Sequence, residues 1–275
     1  MEKKSKTGKL IVLSILALAL LSLLVSLLTF NSFNFFQFST TSKLLHDEVY
    51  SYQGLTKIDV RTISSDVNIL NTDEDSIRVV IYGRDNKNIS VTTDVNQLKI
   101  DIDNRNVCIG ICFSMNDRVD VYVPNNYQNE LNIKTTSGDI NVGSYKANNF
   151  IIKSISGDII VDASRNLKAN STSGNIKVGT ANNPSLSSIS GDIRIKNATN
   201  SLKLKTTSGN VKLGTVYLTK NSTISSISGD ITIEKINEVY IDASTLSGDI
   251  DIFSNSRKAD IVLKIKTTSG DIEIN

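Results

Sequence analysis

The chain has 275 residues, with 30 Lys and Arg against 28 Asp and Glu, one His, two Cys, no Trp and a formal net charge of +2. Four lysines and one glutamate precede an apolar run, which leaves 26 basic and 27 acidic residues beyond it. That near-neutral remainder removes overall basicity as a sign of nucleic acid, which needs Lys and Arg clustered against phosphates, and leaves open only a local phosphate or anionic-glycan patch. A single histidine gives almost no support to His-based acid–base or triad chemistry, and no metal or cofactor is expected.

Residues 1–9 are a basic tail carrying Lys3, Lys4, Lys6 and Lys9, and residues 10–30 are apolar apart from Ser14, Ser22, Ser26 and Thr29. Helical residues in that number span about 31 Å, which matches a bilayer core of roughly 30 Å. The lysines predict a cytosolic N-terminus and an extracytoplasmic remainder. The run exceeds the apolar stretch of a cleaved leader, so a retained signal anchor in the cell membrane is favoured, with Thr40-Thr41-Ser42 as a weak cleavage candidate. Residues 31–50 read as a polar-aromatic tether.

From residue 51 the pattern is all-β. Lys57–Val60, Ser76–Ile81, Gln97–Ile102 and Val119–Val123 alternate apolar and polar residues, as half-buried strands do. Ile63-Ser64-Ser65-Asp66 looks like a degraded copy of a motif repeated further on, 73 residues before Gly138. Residues 51–130 are therefore expected to be atypical capping coils, with Pro124 near their junction to a regular array over residues 131–275. Cys108 and Cys112 flank Ile109-Gly110-Ile111. On a straight strand they would lie about 13 Å apart, beyond disulfide reach, whereas a turn at Gly110 would allow the bond. Both readings stay open at this stage, and metal binding by the pair has no support.

Ser-Gly followed by Asp or Asn and an aliphatic residue occurs eight times, at Gly138, Gly157, Gly174, Gly191, Gly209, Gly229, Gly248 and Gly270, with spacings of 19, 17, 17, 18, 20, 19 and 22 residues. Strand patterns lead into and out of each motif. A unit of two short strands cannot bury its own Ile and Val, so units must stack, which is the logic of a β-solenoid. A β-sandwich of hairpins is the runner-up. The glycines are expected to supply positive φ, and the Asp or Asn to bond local amides. The residue before each serine alternates Thr136, Ile155, Thr172, Ile189, Thr207, Ile227 and then breaks at Leu246 and Thr268. That leaves open whether one unit or two make a coil. The turn acids are read as structural in preference to a calcium ladder. Asp271-Ile272-Glu273-Ile274 is expected to present an open strand edge through which self-association could run.

The reiterated Thr-Thr-Ser-Gly-Asp-Ile and Ser-Ile-Ser-Gly-Asp-Ile units, behind strands ending in Val121-Tyr122-Val123-Pro124, resemble the bacterial putative-adhesin domain family that includes LiaG-like envelope proteins. The resemblance covers roughly residues 55–275. It implies an extracytoplasmic β-solenoid-like domain, sometimes linked to envelope stress systems, with no agreed catalytic residues. Together with the anchor it supports a non-enzymatic protein that binds an envelope polymer, a glycan or another surface protein. The alternatives are a solenoid polysaccharide enzyme, which needs a cleft with paired carboxylates, and a self-assembling surface scaffold.

Overall fold

Alternating Ile, Val and Leu with Lys, Thr, Ser and Asn makes a strand on each side of every Ser-Gly corner. The computed structural model describes residues 42–83, 87–104, 117–146, 149–253, 256–257 and 259–275. Both the apolar run of residues 10–30 and the Cys108/Cys112 pair lie outside them, as does most of the expected tether. Seven strands come first: β1 (Lys43–Tyr50), β2 (Lys57–Thr62), β3 (Asp66–Thr72), β4 (Ile77–Gly83), β5 (Lys87–Asp94), β6 (Gln97–Asn104) and β7 (Arg118–Pro124). Three Ser-Gly coils follow as β8 (Glu130–Lys134) with β9 (Ile140–Tyr145), β10 (Phe150–Lys153) with β11 (Ile159–Arg165), and β12 (Leu167–Ser171) with β13 (Ile176–Asn182). The next three are β14 (Ser185–Ser188) with β15 (Ile193–Asn200), β16 (Lys203–Lys205) with β17 (Val211–Leu218), and β18 (Ser222–Ser225) with β19 (Ile231–Ile236). The last two are β20 (Tyr240–Ser244) with β21 (Ile250–Ile252), and β22 (Val262–Lys266) with β23 (Ile272–Ile274).

These strands form two sheets. One has 12 strands in the order β1-β4-β7-β3-β9-β11-β13-β15-β17-β19-β23-β21, and the other has 11 in the order β20-β22-β18-β16-β14-β12-β10-β8-β2-β6-β5. Neighbouring repeats pair in parallel, for example Ile159 with Ile140 and Ile176, and Ile152 with Ile133 and Ala169. A hairpin sandwich would pair them antiparallel, so the sandwich alternative is excluded. Each Ser-Gly unit places one strand in each sheet, which settles the coil period at one unit per coil, about 4.8 Å of stack.

The core lies between the sheets as two facing ladders. Ile140, Ile159, Ile176, Ile193, Val211, Ile231 and Ile272 stack on one side, and Ile133, Ile152, Ala169, Leu186, Leu204, Ile224 and Ile265 on the other, none more than 1% exposed. Each of these Ile, Leu and Val side chains contributes about 1.5–3 kcal/mol by leaving water, and aliphatic stacks on aliphatic because the coils are in register.

Spatial order departs from chain order at both ends. The coil of β2 and β3 sits between β6/β7 and β8/β9. The degraded motif is therefore the immediate neighbour of the Gly138 motif, one coil away in space despite the intervening 73 residues. Beyond β6 and β7 the pairing turns antiparallel, with β5 on β6, β4 on β7 and β1 on β4. Strand β1 occupies the last part of the segment read as a tether. Its exposed edge position gives no clean alternation to read, and it is fastened by Arg78, whose guanidinium donates to both carboxylate oxygens of Asp47 at 2.7 Å.

At the other end, β22 and β23 are inserted between β18/β19 and β20/β21. This corrects the expected open edge: Ile272 and Ile274 are 1% and 0% exposed and β23 is paired on both sides. The 22-residue spacing, the longest of the series, carries the chain over the outermost coil and back inside it. The strands that end the two sheets are β20 and β21.

Candidate functional site

Each motif position has one structural duty. Two residues before the motif serine stands a Ser or Thr, buried in seven of the eight motifs, which in four of them bonds the backbone of its own corner. Thr135, Ser188 and Thr206 accept from the N–H of Gly138, Gly191 and Gly209 at 2.8–3.0 Å, and Ser154 donates to the Gly157 carbonyl at 2.8 Å. The Thr or Ile that follows faces outward, and so does the motif serine. Its N–H bonds the carbonyl of the Thr or Ile in the coil below, as from Ser156 to Thr136 and from Ser173 to Ile155.

The glycines stack in one column, for a reason other than the expected one. Only Gly229, Gly248 and Gly270 have φ in the positive region, at +153, +144 and +148. All eight are required by close approach: a Cβ would fall 1.9–2.4 Å from the backbone oxygen of the neighbouring coil's residue in the column. Ser65 stands in that column in the first coil, and Gly138 packs on its carbonyl.

The Asp or Asn after each glycine is likewise an inter-coil group and not a local cap. A side-chain oxygen of Asp66 accepts from the backbone N–H of Asp139, Asp139 accepts from Asp158, and Asp158 from Asn175. The ladder continues through Asp192, Asn210, Asp230 and Asp271 to Asp249, with N···O distances of 2.8–3.0 Å. Either residue type serves because only an acceptor oxygen is needed. Burial alone would raise the Asp158 carboxyl, but hydrogen bonds from the backbone and side chain of Asn175 and the Lys177 ammonium outweigh it and hold it below its ordinary range. Among the described residues no group of three or more His, Cys, Asp or Glu is placed to hold a metal ion.

Sequence reading missed a second column five residues past each motif glycine, where Gly143, Gly179 and Gly214 alternate with Asp162, Lys196 and Glu234. A Cβ at Gly179 or Gly214 would lie 2.3 or 2.5 Å from the carbonyl oxygen of Asp162 or Lys196. The missing side chains leave a shallow depression of about 410 Å³ on the outer face of the 12-stranded sheet, lined among others by Ile160, Lys177, Arg194, Lys196 and Lys212. Its charges are largely paired: Lys177 with Asp158 at 3.5 Å, Arg194 with Asp192 at 2.8 Å and Lys212 with Glu234 at 3.1 Å.

The same alternation marks the corner. In spatial order the outward residue runs Ile63, Thr136, Ile155, Thr172, Ile189, Thr207, Ile227, Thr268, Leu246, each linked to the next coil's serine N–H. The break seen in the sequence disappears once the last two coils are exchanged, so that break was the available signal of the exchange. Ile155, Ile189 and Ile227 are 50–52% exposed.

Parallel coils of one motif each, sealed by a glycine column and an Asp/Asn ladder and displaying repeated side-chain columns, define a β-solenoid-like repeat domain. The chain belongs to the Toastrack DUF4097 family, whose profile matches residues 55–275. Among solved structures it is similar to a putative adhesin from Bacteroides fragilis, at 17% identity and a TM-score of 0.51 over 86% of this chain and 98% of that one. A putative lipid binding protein from Parabacteroides distasonis aligns at 18% identity and a TM-score of 0.49, over 84% of this chain and 96% of that one. A putative cell adhesion protein from Clostridium sporogenes aligns at 14% and 0.29, over 85% and 99%. No curated relative matches the chain. The family match agrees with the putative-adhesin domain family read from the repeats, and the Bacteroides fragilis structure with the expected fold.

Proposed function

We propose that the protein is a non-enzymatic binding module of the bacterial cell envelope, anchored in the membrane by residues 10–30 with its β-solenoid on the extracytoplasmic side. The observation that carries the binding reading is the set of outward columns repeated in register at every coil, a surface suited to a repetitive partner. The motif acids support the non-enzymatic reading, because Asp66, Asp139, Asp158, Asp192, Asp230 and Asp271 each spend an oxygen on a neighbouring coil's amide. A LiaG-like role in envelope stress belongs to the same proposal. Purified protein should co-sediment saturably with isolated cell walls, membranes or insoluble glycans, with boiled protein as control. Absence from all three pellets would sink envelope binding, and loss of a glycan-cleaving activity on replacing one ladder Asp would sink the non-enzymatic reading.

Self-association is the second reading, and it now belongs to a different edge. Strands β20 and β21 end the two sheets, and Leu246 and Phe253 beside them are 85% and 75% exposed. Concentration-dependent sedimentation abolished by Leu246→Lys would establish it, and a monomer at all concentrations would dismiss it.

A further inference from the structure

The near-neutral charge of the chain conceals a segregation that only the strand register reveals. On the outer face of the 11-stranded sheet two residues of each strand point away from the core. Register places Asn132, Ile151, Lys168, Ser185, Lys203, Thr223 and Lys264 in one column. Lys134, Lys153, Asn170, Ser187, Lys205, Ser225 and Lys266 form the other. Seven lysines and no acid occupy these two columns over seven consecutive strands; Glu130, two residues before Asn132 on β8, is paired with Lys57 at 3.0 Å. Asp59 and Asp242, the first acids met in these columns on either side, lie one strand beyond. Of the seven lysines only Lys264 has an ion-pair partner among the described residues, Asp242 at 3.7 Å. Three of the four bases over the depression of the other sheet, Lys177, Arg194 and Lys212, are paired instead.

A solvated strand face needs no such bias. Like charges directly opposite each other on neighbouring strands are destabilising, yet Lys134 and Lys153 are register partners, and one acid in the columns would relieve them. The geometry points to an anionic partner lying along the stack, and we infer that this face binds a linear phosphodiester polymer of the polyol-phosphate class. This rests on the envelope-binding reading above.

Three features select that chemistry. The strip is about 29 Å long but only two columns wide, which fits an extended chain better than a globular partner. Its cations are all lysines, compact point charges on flexible stems that suit successive phosphates, with none of the planar forks that favour bidentate recognition of carboxylates. Ser185, Ser187, Thr223, Ser225 and Asn170 supply hydrogen-bonding groups between them. No aromatic residue stands in the columns to stack nucleobases, and Ile151, the sole large apolar side chain in them, gives too little surface to enter a bilayer.

The test uses the full-length chain in neutral-detergent micelles. Poly(glycerol phosphate) is the probe, titrated over a range of NaCl concentrations, beside single-stranded DNA of equal charge and anionic phosphatidylglycerol vesicles. Saturable binding of poly(glycerol phosphate), with log K falling by about 0.7 per contacted phosphate for each unit of log salt, is expected. The variant K153Q/K168Q/K203Q/K205Q should bind at least about tenfold more weakly with a salt slope shallower by roughly 3. The variant K177Q/R194Q/K212Q on the opposite sheet should bind as wild type, and unchanged circular dichroism and urea midpoints show that both variants fold. Wild type that ignores the polymer, a quadruple variant that binds it unchanged, or equal competition by DNA or vesicles would each overturn the assignment. Wild type that pellets with cell walls yet ignores the polymer defeats this face alone, whereas failure in both assays defeats the envelope reading with it.

Discussion

At Gly174 a methyl group would sit 2.0 Å from the Gly157 carbonyl oxygen, and the obstacle is backbone from an adjacent coil that cannot rotate away. Gly174→Ala should therefore cost about 3 kcal/mol or more. Gly54→Ala, at φ +82 with nothing within 4 Å, should cost only about 1 kcal/mol from its backbone angle; urea titration of the two variants separates steric contact from conformational strain. At the neighbouring position the requirement is an acceptor oxygen, not a charge. Asp192 accepts from the N–H of Asn210 at 2.9 Å, so Asp192→Ala should destabilise by about 1–2 kcal/mol. Asp192→Asn should stay within about 0.5 kcal/mol, because Asn175 and Asn210 already do the same work. Asp158 adds a pH dependence. Its folded pKa lies below the unfolded value, so the stabilisation it brings is complete above about pH 4 and is lost as pH falls through the folded value. Asp158→Asn should lower the urea midpoint at pH 6 by what the ionised form contributes, converge on wild type toward pH 2, and so flatten the fall in midpoint between pH 4 and pH 2.

Coils, as elements, carry information that single residues do not. Ile on Ile at every coil of the corner would lay a continuous apolar ridge along the surface, and Thr at alternate coils interrupts it. The glycines at 143, 179 and 214 fall in the same Thr coils, where a Cβ would meet the Asn71 side-chain oxygen or the backbone oxygen of Asp162 or Lys196 at 2.3–2.6 Å. The alternation holds only if β22/β23 lies between β18/β19 and β20/β21, which gives a direct test in a background with Cys108 and Cys112 replaced by serine. Ser228 and Ser269 are bridge partners, as are Ser247 and Ser269. Ser228→Cys with Ser269→Cys should form a disulfide on mild oxidation, while Ser228→Cys with Ser247→Cys, two coils or about 9.6 Å apart, should not. Stacking in chain order would reverse the result, read as a reducible mobility shift on a gel. Much of this was legible beforehand. Period-two alternation located β2, β4, β6, β7 and the array, because one buried face writes itself into every strand. Coil exchange was not legible, since strand patterns record which face is buried and not which neighbour is paired. Charge segregation was hidden for a related reason: Lys134 and Lys266 are far apart in sequence and become members of one column only through register.

For the stack as a whole, the two exchanges place β2/β3 inside the later β6/β7 and place the last coil of the chain, β22/β23, inside β20/β21. A repeat array normally loosens from its last repeat inward, because a terminal unit contacts only one neighbour. Here the coil of Lys57–Thr72 is held on both sides, as is that of Val262–Ile274, and the strands with one neighbour are β1 and β5 at one side and β20 and β21 at the other. At the C-terminal side the terminal unit is β20/β21, where Tyr240, Ile250 and Phe253 are 37%, 43% and 75% exposed and every ladder bond goes to β22 or β23. Its weaker burial means a lower free energy of local opening than that of the coil beneath it, whose Leu263, Ile265, Ile272 and Ile274 are at most 1% exposed. Native-state hydrogen exchange should therefore show protection dipping across residues 240–252 and recovering across 262–274, close to the level of β18 and β19. Protection that declined steadily from β18 to residue 274 would mean that the coils stack in chain order after all. Since β20/β21 has no pairing of its own with β19 or β18, the inner coil cannot open without releasing the outer one, so exchange within β22/β23 should track the larger opening that frees both.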